Sequence, residues 1–178
     1  MNALKKLGSG LAILIIGILL MGLFLSEDFS MERSIVINAP AEKVFAQVND
    51  LKNWPNWSPW NKMDPNMKMN YSSNTIGANA WYSWESKEDN VGKGKLSILE
   101  SQANTLMKTK IEFEGFDSPG YGHWKLEPEG SGTKVTWGFS GKADNYLGRY
   151  MGVMMPMMMG SIFEQGLRDL KKISEGKV

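Results

Sequence analysis

Residues 105–114 read T-L-M-K-T-K-I-E-F-E, and this stretch decides the fold because the character of its side chains alternates from one residue to the next. Met107, Thr109, Ile111 and Phe113 fall on one side of an extended chain, whereas Lys and Glu residues fall on the other. Successive side chains of a β-strand point to opposite faces, so a period of two indicates a strand with one buried and one solvated face.

Other segments on both sides of this stretch show the same alternation. Six strands are predicted at roughly residues 67–73, 78–86, 93–101, 105–115, 120–128 and 133–141. The short connections between them are rich in Asn, Asp, Gly and Ser, which predicts antiparallel hairpins. The run S-I-V-I-N, residues 34–38, adds a seventh, earlier strand. Only Trp81 departs from the alternation.

The apolar face of such a sheet needs a cover. Apolar residues at helical spacing predict a long C-terminal helix, and they are Met159, Ile162, Phe163, Gly166, Leu167, Leu170 and Ile173. Pro156 is predicted to end a short helical turn and to begin this helix in its first turn. A shorter helix with Val44, Phe45 and Val48 on its buried side follows the first strand. The order predicts an α+β helix-grip fold, in which a seven-stranded antiparallel sheet curls around the C-terminal helix and commonly leaves room for a cavity.

The stretch N-W-P-N-W-S-P-W, residues 53–60, holds three of the seven Trp residues. Its two prolines forbid a long regular helix, and a spacing of three predicts a tight, 3₁₀-like turn. We expect Trp57 and Trp60 to pack beneath the sheet and Trp54 to stay partly exposed.

The N-terminal segment Leu7–Leu25 contains no charged residue. At about 1.5 Å per residue it reaches about 28 Å, close to the hydrocarbon core of a bilayer. This predicts a transmembrane anchor over residues 7–25, after a cytoplasmic N-terminus 1–6 and before a linker 26–31 and a domain 32–178. A cleaved signal peptide is the alternative, although no small-x-small site ends the run. Lys5 and Lys6 before the segment predict a single-pass protein of the cytoplasmic membrane, with its domain on the extracytoplasmic side.

Composition excludes several classes of protein. The chain of 178 residues has a net charge of +1, so no basic stripe for nucleic acid is indicated. It has no Cys, which removes thiol nucleophiles and thiolate metal sites. No cofactor motif is evident: Gly92-x-Gly94 precedes a strand rather than a helix and is better interpreted as a hairpin or bulge.

Several stretches together resemble a known family. They are E-R-S-I-V-I-N-A-P-A-E-K-V-F at 32–45, N-D-L-K-N-W-P-N-W-S-P-W at 49–60, the Trp84 strand with G-K-G at 92–94, S-G-T-K-V-T-W at 131–137 and G-L-R-D-L-K at 166–171. They resemble the polyketide cyclase/dehydrase group of the START-like (SRPBCC, Bet v 1-like) superfamily. The resemblance implies the helix-grip fold and a cavity for a hydrophobic ligand, but a fold does not by itself specify a function.

Catalytic residues are hard to find in the sequence. The one His, His123, falls on the solvated face by its strand position, and no Ser has a His and an Asp to activate it. The Met-rich run 151–160 offers thioether ligands for Cu(I), but Met also fills cores and adaptable pockets, and packing is the favoured interpretation. Met154 and Met158 are expected to share the direction of the buried helix stripe. No catalytic residue and no metal site are predicted.

The favoured function is the binding of a small hydrophobic molecule or lipid between sheet and C-terminal helix. The predicted lining is Trp60, Tyr82, Trp84, Ile98, Ile111, Phe113, Trp124, Trp137, Met158 and Ile162. Three alternatives stay open: these residues fill a closed core; the protein is a cyclase- or dehydratase-like enzyme, for which Tyr82 and Thr109 are the only inward polar candidates; or the domain is a non-catalytic interaction or stress-accessory module.

Overall fold

The computed structural model describes residues 2–177, and it describes side chains from residue 7 onward. The elements are α1 (Asn2–Gly22), β1 (Asp28–Ile37), α2 (Ala41–Asn49), a 3₁₀ helix (Leu51–Asn56), α3 (Pro59–Met63), β2 (Lys68–Tyr71), β3 (Trp81–Glu85), β4 (Lys93–Gln102), β5 (Leu106–Phe113), β6 (Gly120–Glu129), β7 (Gly132–Lys142) and α4 (Tyr146–Ser174). The predicted α+β architecture, seven antiparallel strands with a long C-terminal helix, is confirmed. Strand β1 already begins at Asp28, inside the predicted linker 26–31.

Strands β2 to β7 follow one another as hairpins, and β1 closes the sheet beside β7, giving the order β1-β7-β6-β5-β4-β3-β2. The ladder between β1 and β7 runs from Asp28 opposite Lys142 to Ile37 opposite Thr133. A register shift in β4 between Ile98 and Glu100 marks a bulge, which bends the strand. The predicted alternation of faces is confirmed, because the inward residues of each strand are the buried ones at its centre.

The register arranges the inward side chains in rows across the sheet. Four rows follow one another along the strands. The first contains Met107, Trp124 and Trp137, and the second contains Ile98, Thr109, Gly122 and Phe139. The third contains Tyr82, Leu96 and Ile111, and the last contains Trp84, Gly94 and Phe113. The last row lies where β3 and β5 end and β4 begins, which we call the open end of the sheet. The opposite end, covered by α2 and the C-terminal half of α4, is the closed end.

Helix α4 begins at Tyr146 and is capped by Asn145, whose side-chain oxygen accepts a hydrogen bond from the Gly148 amide at 2.9 Å. It then continues through Pro156 without a break, so the prediction that this proline starts the helix is wrong. A proline inside a helix leaves a carbonyl four residues earlier without its usual partner. Helix α4 packs along β1, and the Arg33 guanidinium donates to the Pro156 carbonyl at 3.2 Å.

The first half of the Trp-rich stretch forms the predicted 3₁₀ helix, which ends at Asn56, whereas Trp60 lies in α3. Trp57 is fully buried, but the expectation that Trp54 stays partly exposed is wrong, because Trp54 is only 3% exposed. The Trp54 indole donates to the Val48 carbonyl at the end of α2 at 2.8 Å, which holds the ring in the core. Trp60 is the half-buried member of the three.

The N-terminal segment forms α1, which ends at Gly22 rather than at Leu25. Among the residues that the structure describes, no helix is both long and apolar enough to cross a membrane. The transmembrane anchor predicted over residues 7–25 is thus not supported.

Candidate functional site

Aromatic rings fill the closed end of the space between sheet and α4. The Trp137 ring stacks on Trp124 at a centroid distance of 4.5 Å and on Phe163 of α4 at 4.0 Å. Trp57 packs edge-on against both tryptophans at 5.3 and 5.7 Å. Edge-on and offset-stacked pairs are favourable arrangements of aromatic rings. At this end, the residues predicted to line a cavity form a packed core.

The interior becomes progressively less buried towards the open end. Trp124 and Ile98 are 0% and 1% exposed, whereas Ile111 and Trp84 are half-buried and Phe113 is 37% exposed. The Trp84 and Phe113 rings meet edge-on at 5.6 Å. This end of the sheet therefore presents apolar and aromatic side chains that are partly accessible to solvent, and we call Trp84, Ile111 and Phe113 the aromatic patch.

Glycines leave room for larger side chains on the inward face of the sheet near its open end. A Cβ atom built on Gly94 would lie 2.6 Å from the Trp84 ring, and one built on Gly120 would lie within contact distance of the Phe139 ring. At Gly122 the same position is taken by the Thr109 hydroxyl. These glycines are not among the predicted site residues, although their inward strand positions were a usable signal.

Hydrogen bonds hold the segments next to the aromatic patch in place. On the α3 side, the Ser86 hydroxyl donates to an Asp64 carboxylate oxygen at 2.5 Å, and the Trp84 indole donates to the Val91 carbonyl at 3.1 Å. On the opposite side, Asp144 carboxylate oxygens accept from the backbone amides of Asp117 and Ser118 at 3.2 and 2.8 Å. The Asp144 contacts hold the loop between β5 and β6 against the start of α4.

The Met-rich part of α4 packs only partly against the core. Met155 and Met159 are half-buried against the core. The expectation that Met154 and Met158 share this buried direction is wrong, because they are 48% and 47% exposed. Residues 155, 159 and 163 recur every four positions and point inward, whereas 154 and 158 each precede an inward residue and lie about 100° away from it, towards solvent.

The ten residues predicted to line the site fall into three groups by burial. The buried ones are Tyr82, Ile98, Trp124 and Trp137; the half-buried ones are Trp60, Trp84, Ile111 and Ile162; the exposed ones are Phe113 and Met158. The structure brings Trp84, Ile111 and Phe113 together at the open end. Ile162 instead lies with Pro59 and Met63 in a surface pocket of about 300 Å³ between α3 and α4.

An ion pair connects α3 and α4 beside this pocket. The Lys62 ammonium lies 2.7 Å from an Asp169 carboxylate oxygen, and Gln165 donates to the same carboxylate at 2.9 Å. Burial opposes ionisation of Asp169, but the hydrogen bonds from Lys62 and Gln165 outweigh it and hold the pKa of this carboxyl below its usual value. The pair joins α3 to α4, and the lowered pKa makes Asp169 a weaker base than an ordinary carboxylate.

Few polar atoms point into the interior. Thr109 Oγ1 and Trp124 Nε1 are buried and have no hydrogen-bond partner among the described residues. They lie on neighbouring strands of the same face, in adjacent rows. Burial, followed by the nearby Tyr71, raises the pKa of the Tyr82 phenol, so this inward group stays protonated at neutral pH and can act only as a donor or acceptor of hydrogen bonds.

The outer face carries the polar residues that the alternation predicts. His123 Nε2 lies 2.9 Å from a Glu32 carboxylate oxygen on this face, as predicted for a residue outside the interior. Trp81, which broke the alternation, lies on the same face with the Lys95 ammonium 4.7 Å above its ring. Over residues 2–177, no group of three or more His, Cys, Asp or Glu side chains is arranged to hold a metal ion.

Comparison with known proteins gives one family and many similar structures. A family model described as polyketide cyclase / dehydrase and lipid transport matches residues 28–175. No curated protein matches the chain. Protein CV1439 from Chromobacterium violaceum is 15% identical, with a TM-score of 0.60 over 82% of this chain and 96% of that one. Major latex-like protein 151 from Panax ginseng is 13% identical, with a TM-score of 0.62 over 83% and 98%. The di-domain ARO/CYC protein StfQ of the steffimycin pathway is 9% identical, with a TM-score of 0.65 over 84% of this chain and 51% of its own. At these identities the similarities establish the fold alone.

Proposed function

The chain belongs to the polyketide cyclase/dehydrase and lipid transport family, and from this premise we propose that its domain binds a small hydrophobic molecule or a lipid at the open end of the sheet. The observation that carries the proposal is the gradient of burial. Trp84, Ile111 and Phe113 continue the apolar rows of the core but are left partly exposed. Binding pockets are mostly apolar with a few polar groups, and this surface has that composition.

The ligand expected here has an apolar body and at least one oxygen. Its body would cover Trp84 and Phe113, and each 100 Å² of apolar surface removed from water stabilises the complex by about 2.5 kcal/mol before the costs of association. The Thr109 hydroxyl lies one row deeper than Ile111 and lacks a partner among the described residues. Thr109 is only 1% exposed, so a ligand oxygen would give its hydroxyl a hydrogen bond only after the side chains that cover it move aside.

Two tryptophans of β3 provide a matched test. Trp84 faces inward at the open end and Trp81 faces outward beside Lys95, and both are half-buried. We expect the full-length protein to bind an apolar fluorophore, to lose several-fold in affinity with Trp84→Ala, and to keep its affinity with Trp81→Ala. Equal effects of the two substitutions, or absence of bound lipid in native mass spectrometry of the gently purified protein, contradict the proposal.

We further propose that the N-terminal segment holds the domain at a membrane. The support is the uncharged run Leu7–Leu25 and the exposure of large apolar side chains along α1. The Lys residues before the run and Glu27 and Asp28 after it favour the cytoplasmic membrane, with the domain on the extracytoplasmic side. Release of the protein by alkaline carbonate contradicts membrane attachment, and protease cleavage of the domain only from the cytoplasmic side contradicts the orientation.

A further inference from the structure

The first half of α4 presents an apolar stripe that no other described residue covers. Leu147, Met151, Met154 and Met158 follow a spacing of four, three and four, so they lie along one side of the helix. They are 70%, 45%, 48% and 47% exposed. No charged residue occurs from Tyr150 to Phe163. Charged side chains normally occupy the exposed side of a helix in water, so this side of α4 is suited to an apolar environment rather than to water.

The stripe lies beside the end of α1. The hydroxyls of Tyr146 and Tyr150 donate to the backbone carbonyls of Leu19 and Ile18. Arg149 is the one charged residue in α4 before Glu164, and its guanidinium lies 2.6 Å from a carboxylate oxygen of Glu27. This ion pair lowers the cost of bringing the start of α4 close to an apolar phase.

A further exposed apolar residue, outside α4, lies at the open end of the sheet. Phe116, in the loop between β5 and β6, is 69% exposed. Its ring lies 6.3 Å from that of Phe113, a member of the aromatic patch. The bonds from Asp117 and Ser118 to Asp144 hold this loop next to the beginning of α4. Phe116 therefore lies at the same end of the domain as the aromatic patch and the start of the stripe.

We propose that the stripe and Phe116 form a docking face that enters the surface of a lipid bilayer, so that the open end of the sheet faces the acyl chains. This inference rests on the membrane attachment proposed above. A hydrophobic ligand then passes between the bilayer and the aromatic patch without crossing water. Tyr146 and Tyr150 fit the interfacial level of the bilayer, where tyrosine is enriched.

A lipid surface explains more of the exposed apolar area than a second copy of the chain does. Residues Ile13 to Ile16 are consecutive in α1, so together they point to all sides of the helix, and all four are exposed. A partner helix seated on the stripe covers one side of α4 and leaves most of α1 in water. A bilayer covers both helices, and flexible methionine side chains adapt to its disordered chains.

Because the chain contains no cysteine, a single introduced cysteine can be labelled without labelling any other residue. Single-cysteine variants of the full chain, labelled with an environment-sensitive fluorophore, are reconstituted into vesicles of phosphatidylcholine and phosphatidylglycerol whose acyl chains carry a nitroxide quencher. The variants are Met154→Cys and Phe116→Cys for the docking face, Leu14→Cys for α1, and Lys125→Cys on the outer face as control. We expect strong quenching at the first three positions and little at Lys125.

The outcomes separate this inference from the proposed attachment. Quenching of the Leu14 label alone overturns the docking face and leaves the attachment standing. Quenching at none of the positions overturns both. Burial of the Met154 label that depends on protein concentration and not on the lipid quencher identifies a second copy as the partner and also overturns the inference. Introducing Met151→Glu into the Met154→Cys variant is expected to reduce its quenching to the level of Lys125. Lys172→Glu, on an exposed site at the C-terminal end of the same helix and far from the docking face, is expected to leave it unchanged.

Discussion

Trp137→Ala distinguishes a packed core from a cavity wall. The Trp137 side chain is 4% exposed and lies between Trp124 and Phe163, at 4.5 and 4.0 Å. Truncation of a buried tryptophan costs about 3–5 kcal/mol, because apolar contacts are lost and a cavity is left behind. For a domain of this size, each kcal/mol lowers the melting temperature by about 2–4 °C, so we expect a fall of about 6–20 °C.

The assay is thermal unfolding of the full-length protein in detergent, followed by far-ultraviolet circular dichroism. Trp84→Ala serves as the comparison, since its half-buried ring at the open end is expected to contribute only about 1–2 kcal/mol. Affinity for an apolar fluorophore should change in the opposite order, more for Trp84 than for Trp137. A Trp137→Ala protein that melts near the wild-type temperature but no longer binds the fluorophore would refute the assignment of this ring to the core.

Three further substitutions test the packing of α4 and the Trp-rich stretch. Asp169→Asn should lower the free energy of unfolding at neutral pH by about 1–3 kcal/mol, because it leaves Lys62 unpaired. The pKa of Asp169 is lowered in the folded protein, so the stability that its charge contributes is present above the ordinary carboxyl pKa of about 3.9 and is lost as the pH falls. The variant should therefore show a weaker acid dependence of the melting temperature. Trp54→Phe removes the donor to the Val48 carbonyl and should cost about 1–3 kcal/mol in thermal unfolding. Gly166→Leu forces a side chain towards Trp137, only 2.8 Å from the position of its Cβ, and should lower the melting temperature by overpacking.

Each of these changes has a control of the same chemistry. Glu85→Gln neutralises an exposed carboxylate on the outer face and should leave the acid dependence intact. Trp81→Phe alters a tryptophan whose contact with Lys95 is solvent-accessible, so it should cost less than about 1 kcal/mol. Ser161→Leu places the same leucine on an exposed site of α4. If any control has the full effect of its partner, the buried contact is not the cause.

The alternation of side chains was sufficient to predict the sheet and its faces. Residues such as Met107, Ile111, Trp124 and Trp137 take their direction from strand parity alone, and the family resemblance was confirmed over residues 28–175. The start of β1 could not be predicted in this way. Arg33 occupies an inward position there, and only its bonds to Pro156 and Glu164 of α4 make that position tolerable.

Depth and helical phase were the properties that local patterns could not supply. Trp54 and Trp60 belong to one short motif, yet their burial differs because the end of α2 lies over one ring and not the other. Met158 directly precedes the buried stripe in the sequence, but in a helix it points about 100° away from Met159 and is exposed. The helix also begins ten residues before Pro156, at Tyr146, which the local sequence did not indicate. Only the packed structure determines these outcomes.

The pairing of β1 with β7 also bears on the order in which the protein can fold. About 100 residues separate the partners of this ladder, so its closure is slow compared with the hairpins from β2 to β7. During synthesis β1 emerges early and waits for a partner that is among the last strands made. Helix α4, which packs mainly along β1, cannot dock before that step. Until β7 emerges from the ribosome, the growing chain therefore carries an unpaired strand and an uncovered aromatic face, and this is the interval in which a chaperone or a neighbouring nascent chain has access to them.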